Sequence, residues 1–188
     1  MTSRKVVGVF LNSATHQPHV NTLTAMTHGI RETTDNLVFL SNSTKYMDCD
    51  VAIIFGSWKD RHTQHHILKN DVVNNHKGDL LVLETPLLGR TITEDHRYYR
   101  VGKGHYMDSL GYFNNKNSDK DRWGIIRTDL NLNVKDWRKE GKHIMFLMQL
   151  PGDAATADVD ILKWLQDEIV KCKKISDRPI RIRMHPLI

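Results

Sequence analysis

Four short, nearly continuous apolar runs recur through the first half of this chain: KVVGVFL (Lys5 to Leu11), NLVFLSN (Asn36 to Asn42), CDVAIIFGSW (Cys49 to Trp58) and GDLLVLETP (Gly78 to Pro86). A strand with one face in water alternates apolar and polar residues. A run apolar on both sides must be covered on both sides, which requires helices packed above and below a parallel sheet. The intervening segments supply those helices. PHVNTLTAMTHGIRE puts Val20, Leu23, Met26 or Thr27, and Ile30 on one helical face, with Pro18 suited to the first turn. HTQHHILKNDVVNN spaces Ile67, Leu68 and Val72 for a second helix. The expected fold is α/β, a Rossmann-like parallel sheet with strands near residues 5–11, 36–41, 51–56 and 80–84.

Beyond residue 87 the rhythm breaks. GRTITEDHRYYRVGKGHYMDSLGYFNNKNSDKDRWGI crowds Gly, Asn, Asp, Arg and Tyr without a clear period. So long an irregular stretch in a compact chain is more often functional than idle, and its aromatic residues argue against disorder. Regular structure resumes with HIMFLMQL (His143 to Leu150), then PGDAATADVDILKWLQDEIVKCKK with Val159, Leu162, Leu165, Ile169 and Cys172 on one face, then RPIRIRMHP. This predicts a first domain over residues 1–128, irregular over 87–128, and the start of a second strand-helix-strand domain over 129–188. A two-stranded parallel unit rarely stands alone. Either its strands join the first sheet or the chain is a truncated form of a two-domain protein, and truncation is favoured. Truncation would expose Ile144, Phe146, Ile180, Ile182 and Leu187, a patch that association into a homo-oligomer would relieve.

The 188 residues carry 27 basic against 22 acidic side chains, a net charge of +5 with eleven histidines neutral, which suits an anionic partner without choosing one. Cys49 and Cys172 form no Cys-x-x-Cys, so free thiols are expected and no metal ribbon or redox dithiol is indicated. No G-x-G-x-x-G fingerprint and no G-x-x-x-x-G-K-[ST] loop is present. No apolar stretch approaches the ~20 residues that span a bilayer. A soluble, cytoplasmic protein is expected, using no redox cofactor and no metal.

Ligands of parallel α/β sheets bind where strands deliver their carboxyl ends. Four places qualify. NSATHQPH (Asn12 to His19) follows the first strand and contains His16, though a polar loop capping a helix explains it equally well. FGSWKDR offers Gly56 for close approach, Lys59 and Arg61 for an anion, and Trp58 to stack on a ring or cover the sheet edge. In LETPLLGR, Glu84 at the mouth of a strand is suited to general-base work, or to an ion pair with Arg90. The fourth is the closing unit. Gln149, Gly152 and Asp153 form a turn suited to phosphate, and Arg181, Arg183 and His185 recur at i, i+2, i+4 on one strand face. A solvated edge strand would show the same alternation. The middle segment adds Asn115, Arg122 and Trp123, suited to a base, a sugar or a nucleic-acid strand.

The ending RPIRIRMHP, after a strand, a glycine turn and an amphipathic helix, resembles the second domain of two-domain, GT-B-type glycosyltransferases, in particular polysaccharide and capsule enzymes with an Arg-x-His-Pro element. With YYRVG, GYFNN, DRW and LPGDA, the chain also resembles small glycosyltransferase-like proteins of bacteriophages, some of which attach sugars to modified DNA bases. The resemblance implies a nucleotide-sugar donor whose phosphates meet Arg181, Arg183, His185 and the Gln149–Gly152–Asp153 turn. It implies an acceptor, glycan or DNA, on the first domain near Trp58, Lys59, Arg90, Asn115, Arg122 and Trp123, with Glu84 or His16 taking its proton. His185 and Arg183 would neutralise the departing diphosphate, in the host cytoplasm if the protein is phage-encoded. The alternative is a non-catalytic nucleic-acid-binding or host-takeover protein on the same scaffold.

Overall fold

The computed structural model describes residues 4–186 except 60–61, 86–87, 89–97, 108, 115, 117, 139, 152, 154–155 and 157. They form two compact units, residues 1–132 and 133–188.

The first unit holds a mixed five-stranded sheet in the order β2-β1-β3-β4-β5. Strands β1 (Val6–Phe10), β2 (Leu37–Ser41), β3 (Val51–Phe55) and β4 (Asp79–Glu84) run parallel, at the positions their apolar runs predict. Helix α1 (Gln17–Thr33) connects β1 to β2, and α2 (Gln64–Asn75) connects β3 to β4. From β1 the chain steps to one side of the sheet, and from β3 to the other. Because such crossovers are right-handed, opposite steps put the two helices on opposite faces. The packing follows this division: Val7, Val9, Ile53, Phe55 and Leu83 form one core with Leu23 of α1, flanked by Met26 and Ile30. The alternate strand residues Phe10, Ala52, Ile54 and Val82 are also buried, as are Leu68 and Val72 of α2. Gly8 belongs to this second set, and a Cβ there would come within 2.6 Å of the Phe39 ring.

Two elements depart from the sequence expectations. Inside the irregular segment, β5 (Arg100–Lys103) pairs antiparallel with β4, and α3 (Arg122–Asp129) follows. Neither carries a buried stripe, since β5 is an edge strand with one buried residue, Gly102, and α3 buries none. In α2, Ile67 is exposed, and the inward positions beside Leu68 and Val72 belong to His66 and Lys69.

In the second unit β6 (Ile144–Leu147) and β7 (Ile180–Arg183) pair parallel in a sheet of their own, not joined to the first, with α4 (Ile161–Ile175) between them in the chain. The inward face of α4 is carried by Leu165, with Ile161, Ile169 and Cys172 half-buried, whereas Val159 and Leu162 point to solvent. The strand faces differ from expectation in part. Ile182 is exposed as expected, but Ile144, Phe146 and Ile180 are half-buried, Phe146 lying edge-on to Trp164 at 6.0 Å, and the apolar residues Met145 and Leu147 are exposed instead. Leu187 lies outside the described residues.

Among the described residues no helix is long and apolar enough to cross a membrane. Both cysteines are free and half-buried.

Candidate functional site

Strands β1 and β3 are neighbours whose chains leave the sheet in opposite directions, so their carboxyl ends mark the place where an open α/β sheet parts. Ser13 spans that gap. Its buried hydroxyl donates to the Phe10 carbonyl at 2.6 Å and accepts from the Phe55 N–H at 2.8 Å. The loop after β1 is also fastened to the loop after β2, where the Asn12 amide donates to the carbonyls of Asn42 and Ser43.

His16 stands at the N-cap of α1 with its side chain exposed and making no capping bond, while its carbonyl accepts from the His19 and Val20 N–H groups. The ring that meets the sheet edge is that of His19, stacked on Phe55 with centroids 4.0 Å apart. Tyr99 lies edge-on to both rings.

After β3 the chain turns at Gly56, whose φ of 77° is the left-handed region that favours glycine, and its N–H donates to the Leu83 carbonyl at 2.7 Å. Trp58 packs against His105 and Tyr106 at 4.7 and 5.0 Å and so covers the segment after β5. Burial there lowers the His105 pKa. The Lys59 carbonyl accepts from the Asn70 amide at 2.9 Å, which ties this turn to α2. At the end of β4, Oε1 of half-buried Glu84 accepts from the Thr85 N–H and hydroxyl at 2.7 and 2.8 Å. Across the antiparallel ladder sits Arg100, donating to the Tyr106 carbonyl at 2.6 Å.

The sequence reading missed the most unusual residue of this edge. Lys69 is only 4% exposed, and its ammonium lies 3.6 Å from where a Cβ on Gly56 would stand. Burial is the main cause that pulls its pKa down to about 8, the charge of Lys59 adds to it, and Glu84 acts in the opposite direction. The neighbouring His65 is lowered by burial and then by Lys69 itself.

Trp58, Lys59 and Glu84 thus gather at the carboxyl edges of β3 and β4, joined by Lys69. Arg122 and Trp123 sit on α3, and both are exposed. Helix α3 is held by its far end, where the Tyr98 hydroxyl donates to Asp129. Arg90, Asn115 and Gly152 lie outside the described residues, as does Arg61.

In the second unit, Arg181 and Arg183 are exposed and stand opposite Met145 and Leu147 in the ladder. The strand ends at Arg183, so half-buried His185 lies beyond the ladder instead of continuing the same strand face. Gln149 is exposed. The Asp153 N–H donates to the Leu150 carbonyl at 3.1 Å and is therefore already committed to the turn. Nor does that turn open the helix, because α4 begins at Ile161 and is capped by Asp160, which accepts from the Lys163 N–H at 3.0 Å.

A cleft of about 660 Å³ lies at the opposite, amino-terminal edge of the first sheet, lined by Tyr46, Asp50, Asn75 and Asp79 among others. Two of its carboxylates serve the fold: Asp50 accepts from the Val6 N–H at 2.7 Å, and Asp79 pairs with Lys103 at 2.7 Å and Lys5 at 3.4 Å. Among the described residues no cluster of three or more His, Cys, Asp or Glu is placed to hold a metal ion.

What the fold and this edge define is an α/β protein with a mostly parallel sheet of order 2-1-3-4-5 and a candidate binding edge at the carboxyl ends of β3 and β4. Set against known proteins, the chain matches no family model, no curated protein and no solved structure.

Proposed function

We propose that the chain belongs to a sugar-transferring enzyme of the GT-B type, with the acceptor on the first unit and a nucleotide-sugar donor on the second. The observation that carries this reading is the pairing of Arg181 and Arg183 on one exposed side of β7, with His185 two residues further on. Two arginines whose backbone positions are about 7 Å apart along one strand suit the two phosphates of a nucleoside diphosphate. Glu84 supports the acceptor half, as a carboxylate at a sheet edge whose Oε1 is oriented by Thr85 and which is suited to take the proton of an attacking hydroxyl. In this scheme the acceptor oxygen bonds to the anomeric carbon, the bond to the diphosphate breaks, and the arginines neutralise the leaving group.

Calorimetric titration of the chain with uridine and thymidine diphosphate sugars tests the donor half without requiring turnover. Arg183→Ala or His185→Ala should weaken binding by roughly 10- to 100-fold, the worth of one charge-assisted hydrogen bond. Equal affinity in well-folded variants would leave β7 an ordinary edge strand. Where the donor is turned over, Glu84→Gln should slow release of the diphosphate by about 10²-fold.

A second reading, nucleic-acid binding without catalysis, is favoured by one feature. Trp123 is 49% exposed beside Arg122 on a helix that buries nothing, as a base-stacking surface would be. Salt-sensitive retention of DNA by a chain that binds no nucleotide-sugar would select it.

A further inference from the structure

We propose that the outer edge of β6 pairs with the same edge of a second copy of this chain, antiparallel and about a two-fold axis. The Ile144 N–H donates to the Pro179 carbonyl and the Met148 N–H to the Arg183 carbonyl, both at 2.9 Å, so alternate residues of β6 face β7. The backbone groups of Met145 and Leu147 therefore point away from β7. Among the described residues nothing bonds to them, and their side chains are 46% and 66% exposed.

An open edge is a template for another strand, and a sheet that is to stay single blunts it with charge, proline or a covering group. The other edges are treated in this way. On β2 the Arg31 guanidinium donates to the outward Val38 carbonyl at 3.1 Å. On β5 the outward N–H and carbonyl of Lys103 are both taken by Tyr112 at 2.9 Å. Strand β7 follows Pro179 and carries Arg181 and Arg183. Pairing β7 with its own copy through Ile180 and Ile182 would set Arg181 against Arg181, and like charges directly opposite one another repel. Strand β6, Ile-Met-Phe-Leu, has neither charge nor proline.

That composition selects the occupant. An uncharged edge offers no sign for a foreign partner to match, but it is complementary to itself. With Met145 opposite Leu147 of the second copy, each such pair exchanges two hydrogen bonds, and every outward group of both edges is satisfied. The exposed apolar side chains cover each other, and Phe146 meets Phe146 on the axis. Since Trp164 of α4 lies against Phe146, both helices come to one face of the joined sheet and the arginines to the other. Two strands that rarely stand alone become four. The pairing does not rest on the sugar-transfer reading, because it uses backbone groups which that reading leaves idle.

The test is sedimentation velocity of the full chain together with amide hydrogen exchange. At about 100 μM the unmutated chain should sediment as a dimer, with the Met145 and Leu147 amides exchanging at least about 10-fold more slowly than the outward Ile180 and Ile182 amides of β7. Leu147→Pro removes an N–H that faces away from β7, so it spares the ladder within each copy and takes half of the new bonds. It should raise the dimer dissociation constant at least about 10-fold. Ile182→Pro, the same change on the outer edge of β7, should leave that constant unaltered. Should Leu147→Pro not fold, the exchange rates of the unmutated chain decide. A monomer at this concentration, equal exchange on the two edges, or a dimer indifferent to Leu147→Pro would each overturn the proposal.

Discussion

A lysine folded into a helix-sheet interface leaves a mark on stability that can be read independently of any ligand. The folded chain sheds the Lys69 proton near pH 8, against 10.5 for an unburied lysine. Below pH 8 both states hold the proton and the cost of burial is fully present. Between about pH 8 and 10.5 the unfolded state binds more protons, so stability rises with pH, in total by on the order of 3 kcal/mol. Lys69→Met should therefore make the protein more stable at pH 7, by roughly 1–3 kcal/mol, and should lack that rise. Urea unfolding of both proteins at pH 7 and 10 checks this, because other groups titrating in this range are common to the two. A less stable variant, or an unchanged pH dependence, would mean that Glu84 and the surrounding groups already repay the burial. Glu84 itself was legible from its place at the end of an apolar run. Lys69 was not, because in a list of residues a lysine beside a leucine reads as helix surface, and only the packing of α2 shows which of the two faces in.

At the scale of the element, the parallel ladders leave little room for side chains at their entries. A Cβ on Gly78 would stand 2.1 Å from the Asp50 carbonyl oxygen, the same oxygen that accepts from the Asp79 N–H where β4 joins β3. Neither backbone can move without parting the ladder, so Gly78→Ala should destabilise the first unit by about 1–3 kcal/mol, seen as a lower urea midpoint. In the second unit, Asp160→Ala removes the side-chain acceptor for the Lys163 N–H and should cost about 1 kcal/mol, read as reduced amide-exchange protection in the first turn of α4. The four parallel strands were legible because each is a short, nearly continuous apolar run, and α1 because Leu23, Met26 and Ile30 keep a helical spacing. Strand β5 and helix α3 were not. An edge strand of sequence RVGK is defined by pairing with β4, and a helix that buries none of its residues needs no periodic stripe. In α4 the stripe was legible but its phase was not. Several apolar positions competed, and the docking of Leu165 left Leu162 outside.

Taken whole, the molecule is two units, and the second begins with a stretch from Asn133 to Arg138 in which every residue is exposed and none belongs to a helix or strand. Brief trypsin digestion should cut first after Lys135 or Arg138, and mass spectrometry should find a fragment near residues 1–135 that retains the five-stranded sheet. First cleavage within the parallel strands would contradict this division. The carboxyl-terminal fragment, with two strands and one helix, should lose its structure once separated. The amino-acid sequence by itself determined the α/β class and the parallel direction of the first four strands. Those features follow from local periodicity and from the need to bury continuous apolar runs on both faces. Only the tertiary structure decided the strand order, the antiparallel addition of β5 and the separate two-stranded sheet. It also decided which side chains share the carboxyl edge. The physical reason is that these depend on contacts between residues far apart in the chain: Ser13 reaches Phe55 and Lys69 reaches Gly56 across packed elements, distances on which a run of letters carries no mark.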